Sequence, residues 1–183
     1  HFLINPRILD KIMAAAEISK KDTVLEIGPG TGTLTGRLIE RAGRVIAVEK
    51  DRRLIEILKE KFRNKNVEIV EGDILKLKIE NLNFDDFGYK IIGNIPYYIT
   101  SNLLRTIFES AGWRMARPEL IVLTIQKEVA QRIVAKPPKM NLLAVSVQFF
   151  SEPKIISYIS KENFRPRPKV DSAIIKLRTI GKL

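Results

Sequence analysis

"DTVLEIGPGTGTLTGRLIERAGRVIAVEK", Asp22–Lys50, carries two kinds of pattern within one short span. "TVLEI" and "RVIAV" are short apolar runs rich in β-branched residues, as expected of strands buried on both faces. Between them "TLTGRLIER" has helical spacing, and a glycine-rich turn, Gly28-Pro29-Gly30-Thr31-Gly32, joins the first strand to that helix. Strand, turn, helix and strand make a parallel unit, and the rest of the chain repeats the alternation.

Upstream, "NPRILDKIMAAAEI" (Asn5–Ile18) spaces its apolar residues as a helix does, with Pro6 fitting the first turn. Downstream come a helix at "RRLIEILKEKF" and strands at "VEIVEGD" and "YKIIGNIP". A helix at "SNLLRTIFESA", a strand at "ELIVLTIQ" and a helix at "KEVAQRIVA" follow. "NLLAVSVQFF" is ambiguous by periodicity; after the Pro137-Pro138 break it reads as helix. "KIISYIS" and "SAIIKLRT" are strands with no helix between them, which predicts a closing antiparallel hairpin. The expected fold is α/β, a mostly parallel sheet covered on both faces, in one domain over residues 1–183.

The composition narrows the function. An apolar fraction of 45% and a mean hydropathy of -0.05 fit a soluble globular protein. No run approaches the ~20 uninterrupted apolar residues of a membrane span, so no membrane partner or leader is expected, and the cytoplasm is the expected compartment. The absence of cysteine excludes a disulfide framework, a thiolate nucleophile and a Cys-based zinc site. The one histidine, His1, leaves no basis for a His-based metal site or a Ser/His triad, and no metal is expected. Thirty-two Lys and Arg against 21 Asp and Glu give +11, a charge suited to a polyanion such as nucleic acid.

Ligands in such sheets bind outside the carboxyl ends of the strands. The turns "EIGPGTGTLT", "VEKD", "EGD" and "NIPYY" all fall there, so four motifs line one edge. Gly28, Gly30 and Gly32 let backbone approach a ligand closely and set a helix N-terminus beside it. Their G-x-G-x-G spacing departs from the G-x-G-x-x-G of NAD-type pyrophosphate sites. Glu26 could accept hydrogen bonds from an ammonium group or from the loop itself. Glu49, nineteen residues past Gly30, stands where a carboxylate can accept both ribose hydroxyls of a nucleoside. Asp73 could receive an adenine amine or cap a helix.

"GNIPYYIT", Gly93–Thr100, ends an apolar strand with an amide, a proline and two tyrosines. An exocyclic adenine amine is a poor nucleophile because its lone pair is delocalised into the ring. A site that alkylates it must accept both amine hydrogens and aim the lone pair at the electrophile. The side-chain oxygen of Asn94 and the carbonyl of Ile95 could do so, while Pro96 stiffens the turn and Tyr97 offers a face for stacking. In "KENFRPRPKVDSAII" the aromatic Phe164 lies in a loop among Lys161, Arg165, Arg167 and Lys169, a composition suited to a flipped base and its flanking phosphates.

Taken in order, "HFLINPRIL", "EIGPGTGTLT", "VEKD", "EGDIL", "GNIPYYITS" and "FRPRPKVDSAII" resemble the KsgA-type rRNA adenine dimethyltransferases, relatives of the erythromycin-resistance rRNA methylases. The resemblance spans essentially the whole chain, and "KVDS" leans toward the KsgA branch. It implies a Rossmann-like, S-adenosylmethionine-dependent methyltransferase fold. It implies cofactor contacts at His1, Leu3, Gly28, Glu49, Asp73 and Asn94, with Gly30 in the same turn. His1 stands where many members have Asn, and the usual Gly-Gln before it is absent. Asn94, Ile95, Pro96 and Tyr97 match the amine-binding motif, and Phe164 the aromatic on the far side of the base. The substrate implied is a pair of adjacent adenosines near the 3′ end of small-subunit rRNA, dimethylated during ribosome biogenesis. A monomeric catalytic domain is expected, without the small helical C-terminal domain into which members usually continue.

Three rivals remain at this point. One is an erythromycin-resistance-type enzyme acting on large-subunit rRNA. Another is a ribosome-assembly factor that binds RNA with little turnover. The third is an NAD-dependent oxidoreductase, disfavoured by the glycine spacing and by "NIPYY".

Overall fold

The computed structural model describes residues 2–82, 84, 88–110, 112–113 and 117–181. At its centre β2 (Thr23–Ile27) is buried at every position. It runs parallel to β3 (Arg44–Glu49) on one side and β5 (Tyr89–Asn94) on the other, with Leu25 opposite Ile46 and Ile91. β4 (Val67–Glu71) extends the sheet beyond β3, and β6 (Leu120–Gln126) beyond β5, both parallel. β7 (Ser151–Ile159) and β9 (Ser172–Thr179) complete it in the order β4-β3-β2-β5-β6-β9-β7. From β2 the chain winds outward through β3 to β4, then returns to β5 on the other side. The order therefore reverses between β2 and β5, the switch point at which such sheets bind ligands.

Successive strand residues point to opposite faces. Val24, Val45, Ile92 and Ile174 meet α1 (Pro6–Ala16) and α2 (Thr33–Arg41) in one core. Leu25, Ile46, Ile91 and Ile175 meet α4 (Thr100–Glu109), α5 (Lys127–Ile133) and α6 (Leu142–Phe150) in the other. This two-sided burial is why the strands read as continuous apolar runs. Between β3 and β4 lies α3 (Arg52–Lys61), whose Ile55 and Leu58 are buried. Local signals start the helices: the Asn5 side chain accepts the Arg7 N–H at 3.0 Å, and that of Asn141 accepts the Ala144 N–H at 2.8 Å. The second contact settles the ambiguous "NLLAVSVQFF" as helix.

The C-terminal strands form the expected antiparallel hairpin, in an order the sequence did not reveal. β7 and β9 do pair antiparallel, but β9 is also antiparallel to β6, so it lies inside the sheet and β7 forms the edge. β7 also begins at Ser151, ahead of the expected "KIISYIS", and carries Pro153. A proline lacks the N–H that an inner strand needs, and an edge strand tolerates it. Between them a two-residue strand, β8 (Phe164–Arg165), pairs with β1 (Phe2–Leu3), Leu3 opposite Phe164. At the amino end of β5, away from the switch point, Lys90 Nζ donates to the Glu17 carbonyl at 2.6 Å and to Asp22 Oδ2 at 3.0 Å. The Glu17 carboxylate accepts from Lys176 and Arg178, which hold its pKa down to about 2 and fasten the end of α1 to β9.

Candidate active site

Where the carboxyl ends of β2 and β5 diverge, a cavity of about 200 Å³ opens. Glu26, Gly28, Gly30, Glu49 and Asn94 line its polar side, and Phe2, Leu3 and Pro96 border it. The two strands approach very closely just before Asn94: a Cβ on Gly93 would stand 2.7 Å from the Ile27 carbonyl oxygen. Gly28 and Gly30 have φ of 66° and 59°, in the left-handed region that only glycine enters without strain. The Gly28 N–H donates to the Val48 carbonyl at 3.0 Å, which ties the turn to β3.

Glu49 organises this turn. Its Oε2 accepts the Gly30 N–H at 3.2 Å, and its Oε1 accepts the N–H groups of Lys50 at 2.8 Å and Asp51 at 3.0 Å. A carboxylate has about four acceptor sites, so Oε2 retains capacity on its cavity side. Glu26 is in a different state. Its side chain is 1% exposed, and Oε2 has no hydrogen-bond partner among the described residues. Burial pushes its pKa up to about 8, and the negative charge of Glu49 pushes the same way. The Thr35 hydroxyl opposes that push, yet Thr35 Oγ1 also lacks a well-formed hydrogen bond among the described residues. A buried, unsatisfied carboxyl facing a cavity is a receptor for a cation or a donor.

Asn94 is half-buried on the cavity wall, and Ile95 behind it is buried, its N–H donating to the Thr124 carbonyl at 3.1 Å. Tyr97 is half-buried, and its hydroxyl shares a 2.7 Å hydrogen bond with the Oγ of the buried Ser172. Tyr98, by contrast, is 81% exposed. Asp73 stands outside the residues that line the cavity. Its Oδ1 accepts the Leu75 N–H at 3.1 Å, as a capping residue does, and its Oδ2 accepts from Lys50 Nζ at 2.9 Å. The Lys50 ammonium is the main reason that its pKa is lowered. His1 lies outside the described residues.

Phe164 requires a correction. Expected in a loop among cations, it belongs to β8 and is 1% exposed, packed in the same core as Leu3, Leu9 and Ile159. Pairing with β1 turns the ring inward, because the apolar Leu3 opposite it must also be covered. The cations around it do stay at the surface. Arg165, Arg167 and Lys169 are exposed and Lys161 is half-buried. Arg167 pairs with Glu162 at 2.5 Å, while Arg165 Nη1 donates to the Phe164 carbonyl at 2.9 Å.

Two contributors were missed in the sequence. Phe2 lies beside the glycine turn, its ring 2.7 Å from where a Gly30 Cβ would stand. Its signal was present in "HFLINP" but carries no period to read. Ser172 supports Tyr97 from a motif otherwise notable only as a family marker. Among the described residues there is no group of three or more His, Cys, Asp or Glu placed to hold a metal ion. Nor is any described helix long and apolar enough to cross a membrane.

A reversed parallel sheet, a glycine turn at the switch point and an antiparallel closing pair make up a Rossmann-like methyltransferase fold. The chain belongs to the ribosomal RNA adenine dimethylase family, whose model it matches over residues 1–182. It is 47% identical to a ribosomal RNA small subunit methyltransferase A from Dehalococcoides mccartyi, over 97% of this chain and 60% of that protein. The chain thus spans about three fifths of the length of that relative. It is similar to a dimethyladenosine transferase from Plasmodium falciparum (TM-score 0.85, 36% identity), over 98% of this chain and 64% of that one. The 23S rRNA methyltransferase ErmE matches at a TM-score of 0.85 and 31% identity, over 99% of this chain and 70% of that one.

Proposed function

We propose that the protein transfers methyl groups from S-adenosylmethionine to the exocyclic amine of adenosines in small-subunit rRNA, dimethylating them during ribosome biogenesis. The observation that carries this is the cavity in which the unpartnered carboxyl of Glu26, the Gly28–Gly30 turn, Glu49 and Asn94 converge. The cofactor fits this donor set: Glu26 would face its ammonium group, Glu49 its ribose hydroxyls through Oε2, and Leu3 and Phe2 its apolar surface. When bound, S-adenosylmethionine supplies an electrophilic methyl group on a sulfonium. Asp73 would meet the adenine of the cofactor once its contact with Lys50 exchanges.

The chain's own residues would do the positioning. The Asn94 side-chain oxygen and the Ile95 carbonyl accept the two amine hydrogens, which aims the nitrogen lone pair along the axis of attack. Pro96 fixes the turn, and Tyr97, held by Ser172, offers its ring to the base. Positioning and stabilisation of charge developing on nitrogen supply most of the acceleration. Phe164 supports this site from below through Leu3, rather than stacking on the base. The chain acts as a monomer in the cytoplasm, with Arg165, Arg167, Lys161 and Lys169 toward the RNA.

The curated relatives support the small subunit as substrate, while the similarity to ErmE favours a second reading, the large subunit. Labelled S-adenosylmethionine incubated with each purified subunit separates them. Label in adenosines of the small subunit alone is expected. Label in the large subunit selects the second reading, and label in neither leaves RNA binding without turnover.

A further inference from the structure

A second depression lies along the same edge of the sheet, two strands away from Asn94. It is an open cleft of about 450 Å³ lined by Lys127, Glu128, Gln131, Lys161, Val170 and Asp171. Its walls come from the start of α5, directly after β6, and from the segment between β7 and β9. Both are fastened by a single residue: the Asp171 carbonyl accepts the Lys127 N–H at 3.0 Å, and Asp171 Oδ1 accepts the Lys161 N–H at 3.0 Å. The next residue, Ser172, holds the Tyr97 hydroxyl. The cleft and the amine-binding turn are therefore joined rigidly through the Asp171-Ser172 dipeptide.

The cleft carries two lysines and two acids, and their partners differ. Lys127 Nζ sits over the Tyr158 ring, 5.3 Å from its centroid, and has no carboxylate partner among the described residues. The Lys161 ammonium has no ion pair among them either, although Arg167 and Arg132 nearby do. Of the two acids of the cleft, Glu128 pairs with Arg132 at 3.8 Å, while Asp171 keeps its charge and its Oδ1 is turned to the Lys161 N–H. Gln131 adds an amide donor. With Glu128 paired to Arg132, the two ammonium groups exceed the one remaining carboxylate, and together with the Gln131 amide they can receive a phosphodiester oxygen.

We propose that this cleft holds a backbone phosphate of the nucleic acid strand that delivers the target adenosine, with Lys127 and Lys161 as its cations and Gln131 as a donor. The inference rests on the reading that RNA is the substrate. β5, β6 and β9 lie about 4.8 Å apart in succession, which puts the cleft on the order of 10 Å from Asn94. That separation suits the backbone beside an extruded base. The cleft would thus fix the strand while Tyr97 receives the base.

The test uses the full chain with Lys127→Gln, Lys161→Gln and the double variant. Lys154→Gln, which removes the same charge from the other end of β7, is the control. Affinity for a short single-stranded, adenosine-containing RNA is measured by fluorescence anisotropy over a range of salt. Each cleft variant should weaken binding about tenfold and flatten the slope of log K against log salt by about 0.7. S-adenosylmethionine affinity and the thermal midpoint should be unchanged, and Lys154→Gln should alter neither slope nor affinity. In methyl transfer to small subunits, the cleft variants should raise KM with kcat retained. Salt slopes of Lys127→Gln and Lys161→Gln that match Lys154→Gln overturn the proposal, as does a wild-type chain that binds no RNA. If wild type binds RNA yet methylates no subunit, the enzymatic reading fails and the salt slopes still decide the cleft.

Discussion

A carboxyl pushed to about 8 is mostly protonated at pH 7, so Glu26 enters the ligand-free fold as a neutral group. In the unfolded chain the same group ionises near 4.5. Between those values the folded protein holds a proton that the unfolded chain has released, so stability contributed by this site falls as pH rises from 4.5 to 8 and then levels off. Glu26→Gln removes that dependence. It should stabilise the ligand-free protein by about 2–4 kcal/mol at pH 8 and change little at pH 4, measured by urea titration. A difference independent of pH would show that ionisation of Glu26 is not what burial penalises. The same variant should bind S-adenosylmethionine more weakly, because the amide no longer supplies a charge to its ammonium group.

At the scale of elements, β1 and β8 together are four residues long, yet β1 walls one side of the cavity and β8 backs it. Phe164→Ala empties a fully buried ring site beneath Leu3. It should cost about 3–5 kcal/mol of stability, read as a lowered thermal midpoint. An exposed stacking residue would instead leave the midpoint unchanged and weaken only RNA capture. These short strands explain much of what the sequence concealed. A two-residue strand has no period, and the cations flanking Phe164 gave it the composition of a solvated loop. The longer elements were legible because burial on both faces wrote continuous apolar runs into β2, β3, β5 and β6. The placement of β9 between β6 and β7 was not, since no local feature of "SAIIKLRT" names its neighbours. In the site, Gly28, Gly30, Glu49 and Asn94 were legible from their positions at strand ends. The Lys50 contact of Asp73 and the Ser172 support of Tyr97 depend on tertiary approach.

For the whole molecule, one sheet serves two cores. Val24 and Leu25 are neighbours in sequence but belong to opposite cores, as do Ile174 and Ile175. Neither core can dissolve without exposing strands that the other needs, so the chain should unfold in a single cooperative transition. Trp113 is 3% exposed and lies in the core beside α4, so its fluorescence reports that side alone. Far-UV circular dichroism reports both sides. The two urea curves should coincide, and a separation of midpoints would mean that the cores are independent.

The interior position of β9 also bears on how a newly made chain acquires this shape. β6 is synthesised well before β9 and exposes one row of hydrogen-bonding groups until residues 172–179 arrive. β7 is made in the interval, but its place in the sheet is set by β9, whose other flank it covers. The sheet therefore cannot grow strand by strand in the order of translation. Its closing event is the filling of a slot, late and between two waiting edges, and such non-local pairing is slow. During that wait the open side of β6 offers a template to any neighbouring chain. The emergence of "SAIIKLRT" from the ribosome is thus the moment at which folding outruns misassembly.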